Sequence, residues 1–569
     1  MSYIYNKVRN LLRGLSAPAV VAVAAGVMVS CSDKLDEVPD NRTEIDTQEK
    51  VALLLTSGYP TAVPAVIGEL SGDNLVDNNV ILPNANKHDA DQLFHDEIYR
   101  WGDIRNYNTS DDDTPYQVWE AYYQGIAVAN HAIEAMKQMS NDPANDPTLA
   151  HSWGEAHVLR AYLHFILVNV FAETYKDETQ SSSDWGIPYV TEPERTVNVD
   201  YSDPKYRKSV AETYALIEKD LLEGIDLIDD SRYTVPAYHF NRNAANAFAA
   251  RFYLYKRDYQ KCYDYATAAL GNNPAASLRK WSNMSANTVN TLLNAYNDEK
   301  APCNYLLLGT YSLQDRMLSA CRYAINTGSI EENVPSTLDI LYDGGGPNWN
   351  GRIPAYLGKL YVWGDGQEFG TWLFKVYEYF EYSDKIAGIG FVHILYQPFT
   401  AEETLLCRAE AELYLGKKDA AIQDLEAWTR SKMIDAPLTQ ANISNWYKGD
   451  YTTNIYVSDL HPQDISSEFV KLEGDERKVL DCILHFRRVE TMFEGLRWFD
   501  IKRYGITVHH AYRDPKAYSV THDYLKWNDP RRVIQIPTNV INAGYPATDR
   551  INGQHSTSSV LTVKPQLAK

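Results

Sequence analysis

At 569 residues, with 44% of them apolar, the chain has ample material to bury a core. Its formal charge of −21 excludes the basic surface that a nucleic-acid binder needs. Tyrosine is frequent (41, beside 12 tryptophans), which suits a protein that offers rings to a ligand, although cores and repeat interfaces use the same side chains.

The first thirty residues read as a secretory leader. Lys7, Arg9 and Arg13 form a cationic start, Leu15 to Val29 a short apolar run, and Ser30 a small residue before Cys31. The run is short for a membrane span. Met28-Val29-Ser30-Cys31 resembles a bacterial lipobox with Cys31 as the lipid acceptor, and Ser32 to Glu37 resembles the acidic surface-export tag of Bacteroidetes lipoproteins. Acylation there would hold a soluble domain on a membrane. The expected division is a leader over 1–30, an acidic tether over 31–46 and a single domain over 47–569. The remaining cysteines, Cys262, Cys303, Cys321, Cys407 and Cys482, are odd in number and widely spaced. They predict neither a disulfide framework nor a metal site, and three of them fall in apolar helical patterns.

Along the domain, spacing predicts helices over 47–59, 117–136, 151–171, 210–229 and 243–256. Asp111, Asp112 and Asp113 suggest calcium, but the alternating oxygen ligands of a calcium loop are missing; Thr114 as cap and Pro115 in the first turn explain the run. Residues 250–258 (ARFYLYKRD) and 411–419 (AELYLGKKD) repeat at an offset of 161, each followed by a second helix. Gly416 supplies the turn in the second copy, and Tyr255 stands in its place in the first. Small residues around a short turn resemble a tetratricopeptide unit, and such units stack because none buries its faces alone. The fold class expected is mainly α: a tetratricopeptide-like helix-pair solenoid, its scaffold over about 115–270 and 400–505. Between them, about 271–397 reads as a long irregular insertion, where function commonly sits.

Near the end, Val489, Met492, Phe493, Leu496 and Phe499 line one face of a helix, and the charges opposite alternate in sign as neighbour pairs on a solvated face. Gly505 closes the helix. Arg487, Glu490, Glu494, Gly495, Arg497, Trp498, Asp500, Arg503 and Gly505 together resemble the C-terminal signature of the SusD/RagB family. Residues 157–165 look like that family's second helix, 402–432 like its last repeat, and Ile536-Pro537 with Gly544-Tyr545 like its closing loop. The resemblance implies a surface-exposed, lipid-anchored outer-membrane protein that acts as a lid on a SusC-like TonB-dependent barrel. It would capture an oligosaccharide or, in RagB-like members, an oligopeptide.

The chain carries no motif of a hydrolase, and the resemblance implies no enzyme; the residues themselves predict no cofactor and no metal site. His509-His510, the one adjacent histidine pair, reads as a solvated turn. By position, Trp101 before the first helix pair and Trp281, Tyr296, Trp349 and Trp363 of the insertion are the candidate sugar-stacking rings. Asp73, Asn74 and Asn78 are the candidate hydrogen-bonding groups. A surface enzyme with paired carboxylates and an adaptor that binds only proteins are the competing readings.

Overall fold

The computed structural model describes residues 44–81, 90, 92–195, 206–283, 289–319, 321–324, 346–349, 374–447, 465–466, 468–513, 519–548 and 550. The leader, Cys31 and Trp363 lie outside them. Helix α1 (Gln48–Thr56) begins on Thr47, whose hydroxyl accepts the Lys50 N–H. Helix α2 (Ala65–Ser71), strand β1 (Val76–Asp77) and helix α3 (Leu93–Tyr99) follow. Helix α4 (Pro115–Met139) starts as expected, with Thr114 accepting the Gln117 N–H and Pro115 in the first turn. Asp113 serves the loop before it: its carboxylate accepts the Leu313 N–H at 2.8 Å, and burial raises its pKa to about 7.

Helix α5 (Ala150–Phe171) is buried on nearly every side, including His157, Arg160 and His164, and so forms the axis of the N-terminal half. It packs on α4 and on α6 (Val210–Gly224), which a Ser209/Glu212 capping box starts. The helix pair α7 (Arg242–Lys256) and α8 (Tyr259–Leu270) carries the first copy of the repeat. Here the turn differs from the expectation. Arg257, not Tyr255, takes the left-handed conformation at φ 65°, because α7 runs past the position aligned with Gly416. Its guanidinium bonds the carbonyls of Arg503 and Phe469, which holds a backbone state that an arginine rarely adopts.

The insertion is not uniformly irregular. Strands β2 (Asn304–Thr310), β3 (Tyr323–Ala324), β4 (Tyr379–Asp384) and β5 (Ile389–Thr400) give a three-stranded antiparallel sheet in the order β2-β5-β4 and a short β1–β3 pair. The apolar run of β2 is buried except at Gly309, as a strand covered on both faces requires. Strand β5 leads straight into helix α9 (Ala401–Tyr414), where Thr400 accepts the Glu403 N–H. Helix α10 (Lys418–Ser431) completes the second copy after a left-handed turn at Gly416, and α7, α8, α9 and α10 pack in succession. This stack of helix pairs is the tetratricopeptide-like architecture.

The signature stretch departs most from its reading as one solvated helix. It is split into the end of α11 (Gly474–Glu490) and α12 (Leu496–Tyr504), with Phe493 and Gly495 in left-handed conformations between them. A side chain at Gly495 would meet the Ala65 backbone at 2.7 Å, so α2 rests directly on this turn. The charges face inward. Arg487, 0% exposed, donates to Asp500 at 2.9 Å and to Glu403 at 3.2 Å. Arg503 grips both oxygens of Glu410 and reaches Asp500, while Arg251 of α7 pairs with Glu403. Three guanidiniums thus meet three carboxylates and tie both repeat copies to the signature. Each charge is hydrogen-bonded, as burial demands. Gly505 does close α12, at φ 58°. Strands β6 (Val508–Arg513) and β7 (Val520–Leu525) then form an antiparallel pair.

Candidate functional site

The early polar loop is consumed by the same clasp. Arg497 holds both oxygens of Asp73 at 2.9 and 2.7 Å, and Arg488 bonds Asn74. Burial works against the Asp73 carboxylate, but Arg488 and Arg497 outweigh it and leave its pKa well below the usual range. Asn74 in turn donates to Glu69, whose other oxygen accepts the Gly495 N–H. Asn78 is buried and donates to the Cys321 carbonyl at 2.9 Å. These groups spend their hydrogen bonds on the fold.

The expected rings are likewise committed. Trp101 is 3% exposed, its indole N–H bonds the Ser71 carbonyl at 2.9 Å, and its face is stacked against His510. His510 corrects the reading of a solvated turn: it lies on β6, buried, with its two ring nitrogens on the carbonyls of Tyr99 and Gly72. Trp281 and Tyr296 pack around Arg279, whose guanidinium sits 4.0 Å above the Tyr296 ring. Trp349 is buried among Trp428, His485 and Phe486. The seven described candidates therefore do not meet in one ligand surface; large rings and carboxylates here have filled the core. Among the described residues of the insertion, the most exposed rings are Phe380 and Tyr382 on the β4–β5 hairpin, 50% and 52% exposed and packed edge to face on each other.

A ligand-sized cleft lies elsewhere. It has a volume of about 460 Å³ and opens between residues 116–131 of α4, the extended segment 188–194 and the closing segment 539–545, which begins in the short helix Thr538–Asn542. Tyr116, Trp119 and Tyr123 line it from successive turns of α4, the spacing that puts residues on one helix face. Trp119 lies 4.8 Å from Tyr123 and 6.0 Å from Tyr545 between ring centroids, so the wall is a continuous aromatic surface. The Tyr123 hydroxyl bonds the Pro188 carbonyl, and Asn130 donates to the Val190 and Glu192 carbonyls, which fixes the extended segment against α4. Below, Arg160 from α5 holds Asn130 and the Thr191 carbonyl.

Tyr545 and three glutamates are further polar residues of the cleft lining. Tyr545 is 3% exposed, and its hydroxyl has no hydrogen-bond partner among the described residues. Burial pushes that phenol well above its ordinary pKa, so it stays a neutral donor and acceptor. Arg207 lies across the Tyr545 ring, with its guanidinium donating to the carbonyls of Pro546 and Ala547, and so pins the closing loop. The rim carries Glu120, Glu192 and Glu194. Glu192 and Glu194 have no ion-pair partner among the described residues, and desolvation alone raises the Glu194 pKa. Sequence reasoning passed over this site because its three parts are ordinary in isolation. The one available signal was Tyr116, Trp119 and Tyr123, three rings at helical spacing.

Among the described residues, one set of histidine and carboxylate groups lies close enough to suggest a metal: His157, Asp220 and Glu223. Asp220 already accepts two N–H groups from Arg160 and the Tyr189 hydroxyl. A guanidinium in that position takes the place of a cation. The group is an ion-paired brace between α5 and α6.

Residues 33–254 match a family model described as "Starch-binding associating with outer membrane", and residues 364–547 match the model of the SusD family. A SusD-like protein, P38, of Formosa agariphila is 25% identical over 273 residues, a span of 46% of this chain and 46% of that protein. The match therefore takes in about half of that relative's length. A Bacteroides vulgatus structure described as a putative sugar binding protein has a TM-score of 0.56 at 17% identity, covering 88% of this chain and 98% of that one. A SusD-like protein from Bacteroides fragilis gives a TM-score of 0.53 at 17% identity, covering 90% and 99%. No helix among the described residues is long and apolar enough to cross a membrane. With two family models matched along the helix-pair scaffold and the same fold along most of its length, this chain belongs to the SusD/RagB family.

Proposed function

We propose that the protein is a glycan-binding lipoprotein of the outer membrane, anchored through Cys31, that captures oligosaccharides for a SusC-like TonB-dependent barrel. It acts by binding and positioning and not as an enzyme. The observation that carries the binding reading is the cleft of Trp119, Tyr123 and Tyr545, whose aromatic wall meets an unsatisfied hydroxyl and a polar rim. Sugar rings present apolar C–H faces to such a wall, and their hydroxyls need acceptors and donors at its edge. The first family model's starch-binding description and the sugar-binding description of the Bacteroides vulgatus relative point the same way.

Isothermal titration of the purified protein with panels of neutral oligosaccharides and mixed oligopeptides tests this reading. The expected result is binding of one glycan class, weakened at least about tenfold by Tyr545→Phe, which removes one ligand hydrogen bond worth about 1.5 kcal/mol. Binding of peptides alone would overturn the glycan reading in favour of a RagB-like peptide receptor. Glycan binding that ignores both Tyr545→Phe and Tyr116→Ala would move the site away from the cleft.

A further inference from the structure

Resting on the reading of the cleft as a glycan site, its rim specifies which glycans enter. The charged side chains that line the cleft are Glu120, Glu192 and Glu194, and no lysine or arginine joins them among the described lining residues. Among the described residues, Arg160, Arg195 and Arg207 already hold partners. Arg160 is bound below the floor by Asp220, Asn130 and the Thr191 carbonyl. Arg195 pairs with Glu134, and Arg207, which lies over the Tyr545 ring, is held in place by the carbonyls of Pro546 and Ala547, neutral acceptors that leave its charge uncompensated. Glu120 accepts a hydrogen bond from Gln124, a neutral donor that leaves its charge uncompensated.

We propose that this cleft admits saccharides bearing no carboxylate or sulfate and rejects acidic ones, with the three glutamates as the selecting groups. Carboxylates are acceptors only, so they bind the hydroxyl donors that every hexose offers. A uronate or sulfate in the same place would set like charges against each other in a partly desolvated site, where such a juxtaposition is costly. A receptor for acidic glycans would need bidentate arginines at this rim. The aromatic wall supplies adhesion without regard to charge, so discrimination falls to the rim. The orphaned Tyr545 hydroxyl fits the same class, since a neutral phenol pairs with a sugar hydroxyl without need of a charge.

The experiment titrates the purified full-length protein with three hexasaccharide probes at low and high salt: a neutral β-glucan, a neutral α-glucan and an oligogalacturonate. It then repeats the set with the Glu120→Gln/Glu192→Gln/Glu194→Gln variant. At least one neutral probe is expected to bind, with the galacturonate at least about thirtyfold weaker at low salt. The variant should narrow that gap at least about tenfold, whatever the change in its neutral affinity. The rest of the surface remains acidic in the variant, so narrowing reports the rim and not the global field. Galacturonate binding as tight as the neutral probe, or a gap unchanged in the variant, overturns the selectivity and leaves the glycan reading standing. Failure of all three probes, with peptides binding instead, overturns both.

Discussion

Replacing Arg487 with methionine removes the centre of the buried ion network. Arg487 is 0% exposed, with one N–H on Asp500 and another on Glu403. Its loss leaves three carboxylates, Glu403, Glu410 and Asp500, facing the two guanidiniums of Arg251 and Arg503. One negative charge is then buried without a counterpart, and breaking such a pair from one side costs about 3–5 kcal/mol. The packing lost is small because the methionine fills most of the stem's volume. Urea titration followed by tryptophan fluorescence measures the change, and the Arg487→Met/Asp500→Leu variant, which removes a charge of each sign, should recover more than half of the loss. A loss below about 1 kcal/mol for Arg487→Met, or no recovery in the double variant, would refute the claim that these charges are mutually compensated.

Other outcomes follow from the same geometry. Glu69 is buried, and desolvation, against the hydrogen bonds from Asn74 and Gly495, raises its pKa to about 7 from 4.5. Between those values the native chain holds a proton that the unfolded chain has released, so this group's contribution to stability falls as pH rises from about 4.5 through 7. Glu69→Gln should therefore gain stability relative to the parent, by about 2 kcal/mol, as thermal unfolding is compared from pH 5 to pH 8; a flat difference would contradict it. Gly495→Ala places a side chain at φ 74° against the Ala65 backbone and should cost about 2–4 kcal/mol by urea titration. Trp101→Ala should lower stability by about 3–5 kcal/mol through the cavity it leaves, whereas Tyr545→Phe should change ligand affinity with a stability change below about 1 kcal/mol.

The helix-pair scaffold was legible because its signals are local. Thr114 with Pro115, the apolar spacing of residues 151–171 and the repeated turn before Asp258 and Asp419 each act within one or two turns of chain. What escaped is what depends on distant partners. Alternating charge along residues 487–503 has the same pattern on a solvated face as against another helix, and only the placement of Glu403, Glu410 and Asp73 decides between them. Trp101, Trp281 and Trp349 looked available because a large ring in a loop-rich stretch carries no local mark of burial. The strands β2 and β5 did carry a local mark, the three leucines of β2 and the β-branched and aromatic residues of β5, which glycines and the surrounding polar stretches obscured. The cleft joins the helix α4, the segment 188–194 and the segment 539–545, and no spacing rule connects parts so far apart in the chain.

The most direct measurement is a crystal structure of the protein with the neutral oligosaccharide that binds it most tightly. Sugar density is expected against Trp119 and Tyr123, with a hydroxyl within hydrogen-bonding distance of the Tyr545 oxygen. Sugar bound only on the exposed rings of Phe380 and Tyr382, with the cleft empty, would contradict it.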